Sequence, residues 1–298
     1  MWRSPHRPLR EHRVPVAHGR TIGAAEFGDP DGVPVLWFHG TPGGRLQVPP
    51  DGPAAAAARG LRLVAIERPG TGWSSAHRYR CVREFAGDVA AVADALGLAR
   101  FAVVGLSGGG PYALACAHDL ADRVVVASVL CGIGPIVGPD AVPGAPRLLA
   151  LAAPLLARVA APAGRALPRA LRLIAPRADL AIRAFAAIAP PADRPILLDP
   201  AFAAVLVGDI LHVMDGGLAA GFHDLHLFGR DWGFRLADVR VPVCFFQGDA
   251  DGIVPEAHGR HQASRVQRGS LTILRGGGHL AGYVDAGRVF DALAPYLG

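Results

Sequence analysis

The chain has 298 residues, of which 51% are hydrophobic and 18% are charged, and its formal net charge is +5. That apolar share excludes a disordered protein and is enough to bury a sizeable core. All 30 basic residues are arginine, and the excess of positive over negative charge lies in residues 1–13 and 135–195. No basic–aromatic surface motif accompanies them, so the charge does not indicate nucleic-acid binding.

Nothing in the sequence predicts a secreted or membrane-spanning protein. The first residues carry charge without the apolar core of a signal peptide. The longest apolar stretch, Leu148 to Ala157, is far short of the roughly 20 residues that span a bilayer. The cysteines have no paired spacing, which is typical of a reducing compartment; they are Cys81, Cys116, Cys131 and Cys244. We therefore expect a cytoplasmic protein.

Short apolar runs bounded by glycine and proline alternate with longer helical stretches. The predicted strands are Val14–Ala17, Thr21–Phe27, Val33–Phe38, Leu61–Ile66, Phe101–Leu106, Val124–Leu130, Val241–Phe246 and Leu271–Leu274. The predicted helices are 82–98, Pro111–Ala121, 255–266 and 285–297. The first two strands are close enough to form a hairpin. Continuous apolar strands separated by helices predict an α/β fold with a doubly wound, mostly parallel sheet.

Residues 134–236 break this alternation. They are rich in alanine, leucine, arginine and proline, and prolines at such density divide helical sequence into short pieces. We therefore predict a helical cap over 134–236, inserted between core parts 1–133 and 237–298. Within it, the leucines and arginines of 148–189 are typical of a solvated arginine face over an apolar stripe. The alternative is a cap that favours apolar acyl chains and contacts anionic membrane surfaces.

A G-x-S-x-G pattern occurs at Gly105-Leu106-Ser107-Gly108-Gly109. The bare pattern is a modest signal, but it follows a predicted strand directly and precedes a helix that has Pro111 in its first turn. A strand–turn–helix of this kind holds a serine at a strained, exposed elbow. The alternative interpretation is an ordinary glycine-rich turn.

A serine hydroxyl is a weak nucleophile, so it needs a base that is itself oriented by a carboxylate. His279 follows three glycines after the last predicted strand, and Asp249 and Asp251 follow the strand Val241–Phe246. All of them come just after the carboxyl ends of strands, where open α/β sheets place their sites. The chain order is therefore serine, aspartate, histidine.

A developing oxyanion needs preorganised hydrogen-bond donors. The segment His39-Gly40-Thr41-Pro42-Gly43-Gly44 follows the strand Val33–Phe38 and could present the Thr41 N–H opposite that of Gly108. We expect His39 to be structural, because His279 already supplies a base.

These segments together resemble the α/β-hydrolase fold superfamily, specifically its capped HGxP group. The resemblance covers about residues 14–298 and rests on HGTPGG (39–44), ERPGTGWSS (67–75), GLSGG (105–109), GDADGIVP (248–255) and GGGH (276–279). It implies that Ser107 is the nucleophile, His279 the base and Asp251 the acid. It also implies an oxyanion hole formed by Thr41 and Gly108. No cofactor or metal is implied. Asp249 is then expected at the turn, bonding local backbone.

Related subfamilies differ from this chain at single positions. Haloalkane dehalogenases and epoxide hydrolases have an aspartate where Ser107 stands, and proline iminopeptidases typically have tryptophan where Gly108 stands. Epoxide hydrolases also place tyrosines in the cap, whereas the tyrosines of this chain lie outside it; they are Tyr79, Tyr112, Tyr283 and Tyr296. We therefore predict a serine hydrolase that cleaves an apolar, small-molecule carboxylic ester or a related carbonyl compound through an acyl-enzyme intermediate. The alternatives are a non-catalytic ligand-binding member, a peptidase and a cofactor-free perhydrolase.

Other motifs stay open or favour structural roles. Four cap residues could line a substrate pocket or anchor the cap; they are Met214, Phe222, Phe228 and Trp232. The histidine pairs at 223/226 and 258/261 resemble metal-ligand spacing, but no cysteine or carboxylate cluster completes a site. Arg45 and Arg68, next to glycine turns, are expected in structural ion pairs. The sequence is silent on the oligomeric state.

Overall fold

The computed structural model describes residues 5–144, 155, 158, 177–214 and 219–298. These residues form an eight-stranded sheet with the spatial order β1-β2-β4-β3-β5-β6-β7-β8. The strands are β1 (Arg10–Val16), β2 (Arg20–Gly28), β3 (Val33–Phe38), β4 (Leu61–Ile66), β5 (Phe101–Leu106), β6 (Val124–Leu130), β7 (Val243–Gly248) and β8 (Gly269–Leu274).

The sheet is parallel except at β2, which pairs antiparallel with both β1 and β4. Every residue of the central strand β5 is buried, as expected for a parallel sheet covered on both faces. The predicted doubly wound, mostly parallel sheet is therefore confirmed. Strand β1 begins four residues before the predicted strand, because most of the side chains of Arg10–Arg13 are exposed on this edge and carry no apolar signal.

The helices pack on both faces of the sheet. They are α1 (Gly52–Ala57), α2 (Phe85–Ala95), α3 (Gly110–Asp119), α4 (Ala178–Ile188), α5 (Arg194–Leu198), α6 (Pro200–Val213), α7 (Ala219–Phe228), α8 (Glu256–Arg265) and α9 (Ala286–Leu293). Helix α1 was not predicted, since its sequence GPAAAA has no apolar periodicity. Helices α4–α7 lie between β6 and β7. We call the described residues 177–214 and 219–228 the inter-strand segment; most of the stripe at 148–176 lies outside the described residues.

The two faces of the sheet bury separate apolar clusters. Phe38 of β3 packs with residues of α2 and α3, whereas its neighbour Trp37 packs with residues of α9 and with Phe202 of α6. Both side chains have no measurable exposure. Side chains on neighbouring positions of a strand point to opposite faces. The carboxyl ends of β3, β5, β7 and β8 are therefore held in place by side chains packed on both faces of the sheet.

Over the part of the chain that the structure describes, no single helix is long and apolar enough to cross a membrane. One consecutive pair, Pro191–Leu198 and Pro200–Val213, passes that test only together, and the pair is bent by 85°.

Candidate active site

Ser107 lies at a sharp turn between β5 and α3. Its φ is +50°, in the left-handed region that costs a non-glycine residue about 1–3 kcal/mol. The glycines on either side make the turn possible. A Cβ at Gly105 would lie 2.4 Å from the carbonyl oxygen of Gly109, and a Cβ at Gly109 would lie 2.3 Å from that of Phe38. The strained turn predicted from G-x-S-x-G is thus present.

His279 lies on the loop after β8 and contacts the serine. Its Nε2 is 2.8 Å from Ser107 Oγ, and its Nδ1 is 2.9 Å from Asp251 Oδ2. When Nδ1–H donates to the carboxylate, Nε2 is left to accept the serine proton. The structure therefore joins three residues that are 172 and 28 positions apart.

The carboxylate of Asp251 is fixed by hydrogen bonds on both oxygens. Oδ1 accepts the N–H groups of Ile253 at 2.9 Å and Val254 at 2.8 Å. Oδ2 accepts from the Gln247 amide at 3.0 Å as well as from His279. The side chain is fully buried, so it cannot turn away from the imidazole without losing these partners.

Asp249 bonds the start of the loop after β8. Its Oδ1 accepts the N–H of Gly276 at 2.7 Å, and Oδ2 is 3.4 Å from an Arg275 guanidinium nitrogen. The expected bond to local backbone is therefore replaced by a bond to a loop 27 residues away, while Asp251 contacts His279.

The two residues expected to bind an oxyanion lie against each other beside Ser107. A Cβ at Gly108 would lie 2.4 Å from Thr41 Oγ1. The loop that carries Thr41 is braced by Gln47, whose Oε1 accepts the N–H of Gly40 at 2.6 Å. Gln47 was not singled out in the sequence, because its contact depends on the fold of this loop.

A buried network of charged and polar side chains is hydrogen-bonded to the loop that carries Thr41. Asp224 of α7 accepts from Thr41 Oγ1 at 2.8 Å, from Arg68 Nε at 2.9 Å and from the Tyr112 hydroxyl at 2.7 Å. Arg68 also donates to the carbonyl of His39 at 2.6 Å. Burial, followed by the charge of Asp224, raises the pKa of Tyr112 well above its ordinary value. The expected ion pairing of Arg68 is confirmed.

His39 and Arg45 also have structural surroundings. Nε2 of His39 accepts the Arg68 N–H at 3.2 Å, and burial, then the Arg68 charge, hold the pKa of His39 well below its usual value. Arg45 pairs with Glu67 at 2.6 Å and with Glu11 at 2.7 Å. The side chains of His39 and Arg45 are both buried, as expected for structural residues.

Helix α6 contributes a fully buried carboxylate to the same loop. Asp209 Oδ2 accepts the N–H of Gly44 at 2.8 Å, and Oδ1 accepts that of Leu46 at 3.1 Å. Burial raises the pKa of Asp209 to about 7, and the nearby charge of Glu67 adds to this, whereas the two N–H groups and His212 oppose it. A lone charge in an otherwise apolar helix was the one sequence signal for this residue.

The loop of His279 is held in the same way by a third aspartate. Asp193, between α4 and α5, accepts the N–H of His279 at 3.1 Å and the N–H of Leu280 at 2.8 Å. No motif marks Asp193 in the sequence, and its partners are 86 and 87 residues away. The inter-strand segment thus supplies three buried carboxylates to loops of the candidate site.

A cavity of about 570 Å³ separates the loops from the inter-strand segment. Ser107 and His279 form part of its wall, and the rest is mostly aliphatic or aromatic, including Ile182, Phe185, Leu206 and Ile210. Among the described lining residues Asp193 is the one carboxylate, and there is no arginine. The volume and character match a site for a small apolar molecule.

Of the four cap residues proposed for the pocket, all of which the structure describes, only Met214 lines this cavity. Phe228 and Trp232 are buried in the core cluster that also holds Tyr112. The ring of Phe228 nevertheless lies beside the candidate site, since a Cβ at Gly108 would lie 3.1 Å from its Cζ. Phe222 is half-buried on α7 and does not contribute to the wall. The reason is the direction of α7, which packs toward Arg68 and Tyr112 through Asp224.

The histidine pairs do not gather a metal-binding group. His258 Nδ1 accepts the N–H of Gly134 at 3.0 Å, and His261 Nε2 is 3.0 Å from the carbonyl of Asp140. Within the described ranges, no group of three histidine, cysteine, aspartate or glutamate side chains could hold a metal ion.

Both the sheet and the serine turn define a protein of the α/β-hydrolase type. The model of the alpha/beta hydrolase fold family matches residues 33–286, and the chain belongs to that family. An alpha/beta hydrolase fold protein from Nakamurella multipartita aligns with 97% of this chain and 99% of its own at 25% identity, with a TM-score of 0.64.

Similarity to curated relatives is confined to part of the chain. A proline iminopeptidase of Neisseria gonorrhoeae is 31% identical over 128 residues, which are 39% of this chain and 38% of that protein. Epoxide hydrolase B of Mycobacterium tuberculosis is 37% identical over 122 residues, or 38% of this chain and 33% of that protein. The matched region thus spans 38% of the first relative and 33% of the second.

Proposed function

We propose that this protein is a serine hydrolase that cleaves carboxylic esters of small apolar molecules through an acyl-enzyme intermediate. The observation that carries the proposal is the continuous contact from Ser107 Oγ through His279 to Asp251, at 2.8 and 2.9 Å. Membership of the α/β-hydrolase fold family supports hydrolysis as the reaction type.

In the proposed acylation step, Ser107 Oγ attacks the ester carbonyl carbon while its proton passes to His279 Nε2. The carbonyl electron pair moves to oxygen, and the backbone N–H groups of Thr41 and Gly108 donate to that oxyanion. When the intermediate collapses, the bond to the alcohol breaks and the alcohol takes the proton from His279. Asp251 holds the imidazole in the required tautomer and stabilises its charged form.

In the deacylation step, water attacks the acyl carbon and gives a proton to His279 Nε2. The bond to Ser107 Oγ then breaks, and the serine recovers its proton from the imidazole. The carboxylic acid leaves, and no cofactor or metal takes part.

The cavity wall supports a neutral, apolar acyl group. Its described lining contains no arginine to pair with a carboxylate on the substrate, and α4 and α6 present aliphatic side chains to it. We propose that these helices belong to a cap spanning about residues 134–236. We do not expect this protein to cleave the carbon–halogen bond of a haloalkane or to open an epoxide ring. Haloalkane dehalogenases and epoxide hydrolases have aspartate where Ser107 stands.

The proposal is tested with a p-nitrophenyl butyrate assay on the wild type and Ser107→Ala. We expect turnover by the wild type and a loss of kcat of at least about 10⁴-fold in the variant, since nucleophile and base act as a unit. Ser264→Ala is the matched control, because Ser264 is exposed and bonds only the local carbonyl of His261. An active Ser107→Ala, or an inactive wild type, would overturn the proposal; the inactive wild type would favour a ligand-binding protein.

A further inference from the structure

The turn between α4 and α5 holds a carboxylate that has no role in the proposed reaction steps. Asp193 ends the turn Pro191–Asp193 and is only 1% exposed. Both of its oxygens accept backbone N–H groups of the base loop, His279 at 3.1 Å and Leu280 at 2.8 Å. The loop that carries the base is therefore hydrogen-bonded to the inter-strand segment as well as joined to the sheet.

The base loop is shaped to admit this carboxylate. A Cβ at Gly278 would lie 2.3 Å from Asp193 Oδ1 and 2.5 Å from its Cγ, so any larger residue would push the two apart. The φ of Gly278 is not in the left-handed region, so backbone conformation alone does not require glycine there. The close approach of Asp193 does require it.

The acid loop packs against the same turn. A Cβ at Gly252, which follows Asp251, would lie 3.0 Å from Cγ of Pro190. Pro190 in turn accepts the N–H of Asp193 at 3.0 Å. One short turn thus touches the loops of both the base and the acid.

The carboxylate of Asp193 has few hydrogen-bonding partners and no ion pair among the described residues. Its partners are the two N–H groups, and no basic side chain of the described chain forms an ion pair with it. It also lines the same cavity as His279. One buried carboxylate therefore both binds the base loop and forms part of the cavity wall.

We propose that Asp193 is a positioning residue for the proposed base: it fixes the backbone of His279 and Leu280 and thereby the place of the imidazole. The inference rests on the proposed serine hydrolysis for its kinetic consequence. Its structural consequence, the restraint of two amide groups, can be measured without any activity.

The kinetic test compares Asp193→Asn with Asp199→Asn. The asparagine side chain has one oxygen that can accept and one NH2 group that can only donate. One of the two backbone N–H groups would therefore face an NH2 group and lose its acceptor. We expect kcat to fall about 30-fold with KM within about threefold, because geometry at the base affects the reacting state more than substrate binding.

Asp199→Asn is the matched control for charge and location. Asp199 lies in the same segment, is exposed and caps α6 by accepting the N–H of Phe202 at 2.9 Å. Asparagine caps helices about as well as aspartate. We therefore expect unchanged kcat and unchanged KM in this variant.

The structural test is amide hydrogen exchange at His279 and Leu280, measured by NMR in the wild type and both variants. Exchange should be at least about tenfold faster in Asp193→Asn, in line with the loss of a hydrogen bond to a charged group, and unchanged in Asp199→Asn. If Asp193→Asn does not fold, Gly278→Ala is used instead, because its Cβ displaces the carboxylate.

The two proposals fail in distinguishable ways. An inactive wild type whose His279 and Leu280 amides still lose protection in Asp193→Asn removes the hydrolase function but keeps the restraint. Amide exchange and kcat equal to those of the wild type in Asp193→Asn would overturn the positioning role. Equal losses in Asp199→Asn would overturn it as well.

Discussion

At the scale of single residues, two aspartates two positions apart have different surroundings. Asp251 is buried against His279 at 2.9 Å, and Asp249 bonds the backbone of Gly276 at 2.7 Å. We expect Asp251→Asn to lower kcat by up to about 10⁴-fold, because the imidazole then loses the partner that sets its tautomer. Asp249→Asn should cost about tenfold or less, since Asp249 bonds the backbone of Gly276 and not the imidazole.

Steady-state kinetics on both variants checks this, with thermal unfolding curves to show that each is folded. The assignment of Asp251 is wrong if Asp249→Asn has the larger loss of kcat while both variants unfold at similar temperatures.

The sequence predicted those site residues that belong to local motifs. Ser107, His279 and Asp251 each follow a strand with a recognisable turn, and parallel strands bring such turns to one edge. Asp193 and Asp224 could not be predicted, because their partners are 86 or more residues away and no local pattern marks an aspartate as buried. The sequence left the roles of Phe228 and Trp232 open between pocket lining and anchoring, since apolar periodicity does not tell which buried surface a helix faces.

At the scale of elements, helix α6 carries a buried aspartate whose ionisation opposes folding. Burial raises the pKa of Asp209 to about 7, so between about pH 4 and pH 7 the folded state holds a proton that the unfolded state has released. The contribution of this group to the free energy of unfolding is therefore full at low pH and is lost as the pH rises through 7.

Urea unfolding of the wild type and Asp209→Asn at pH 5 and pH 8 measures this contribution. We expect the wild type to lose about 2 kcal/mol relative to the variant over that interval. Asp199→Asn, which removes an exposed carboxylate next to the same helix, should show no such change. If the free energies of unfolding of the wild type and Asp209→Asn differ by the same amount at both pH values, Asp209 does not titrate in this range.

The elements of the sheet were predictable, because apolar strands buried on both faces leave a strong signal. The bounds of the helices were less so: the predicted 82–98 contains a 3-10 turn at Val82–Glu84 and an α-helix at Phe85–Ala95. Between β6 and β7 the sequence indicated only helix and proline, and the positions of α4–α7 depend on contacts with loops distant in sequence.

At the scale of the whole molecule, the cavity between sheet and inter-strand segment predicts a preference for acyl length. Each methylene buried against its apolar wall is worth about 0.8 kcal/mol, so kcat/KM should rise about fourfold per methylene from acetate to hexanoate. Ile210→Trp, which fills space at the wall, should flatten or reverse this series.

Leu198→Trp is the control, because Leu198 is 52% exposed and does not line the cavity. Kinetics on a series of p-nitrophenyl esters decides the question. A wild type that prefers acetate, or an Ile210→Trp variant with an unchanged series, would contradict the assignment of the acyl group to this cavity.

The central claim is that Ser107 is an activated nucleophile in a serine hydrolase, and covalent labelling tests it most directly. The folded wild type is treated with a fluorophosphonate, and the modified peptide is identified by mass spectrometry. The account predicts one label on Ser107 among the seven serines of the chain, and no label in His279→Ala. A label on another serine, or a folded wild type that takes up none, would contradict it.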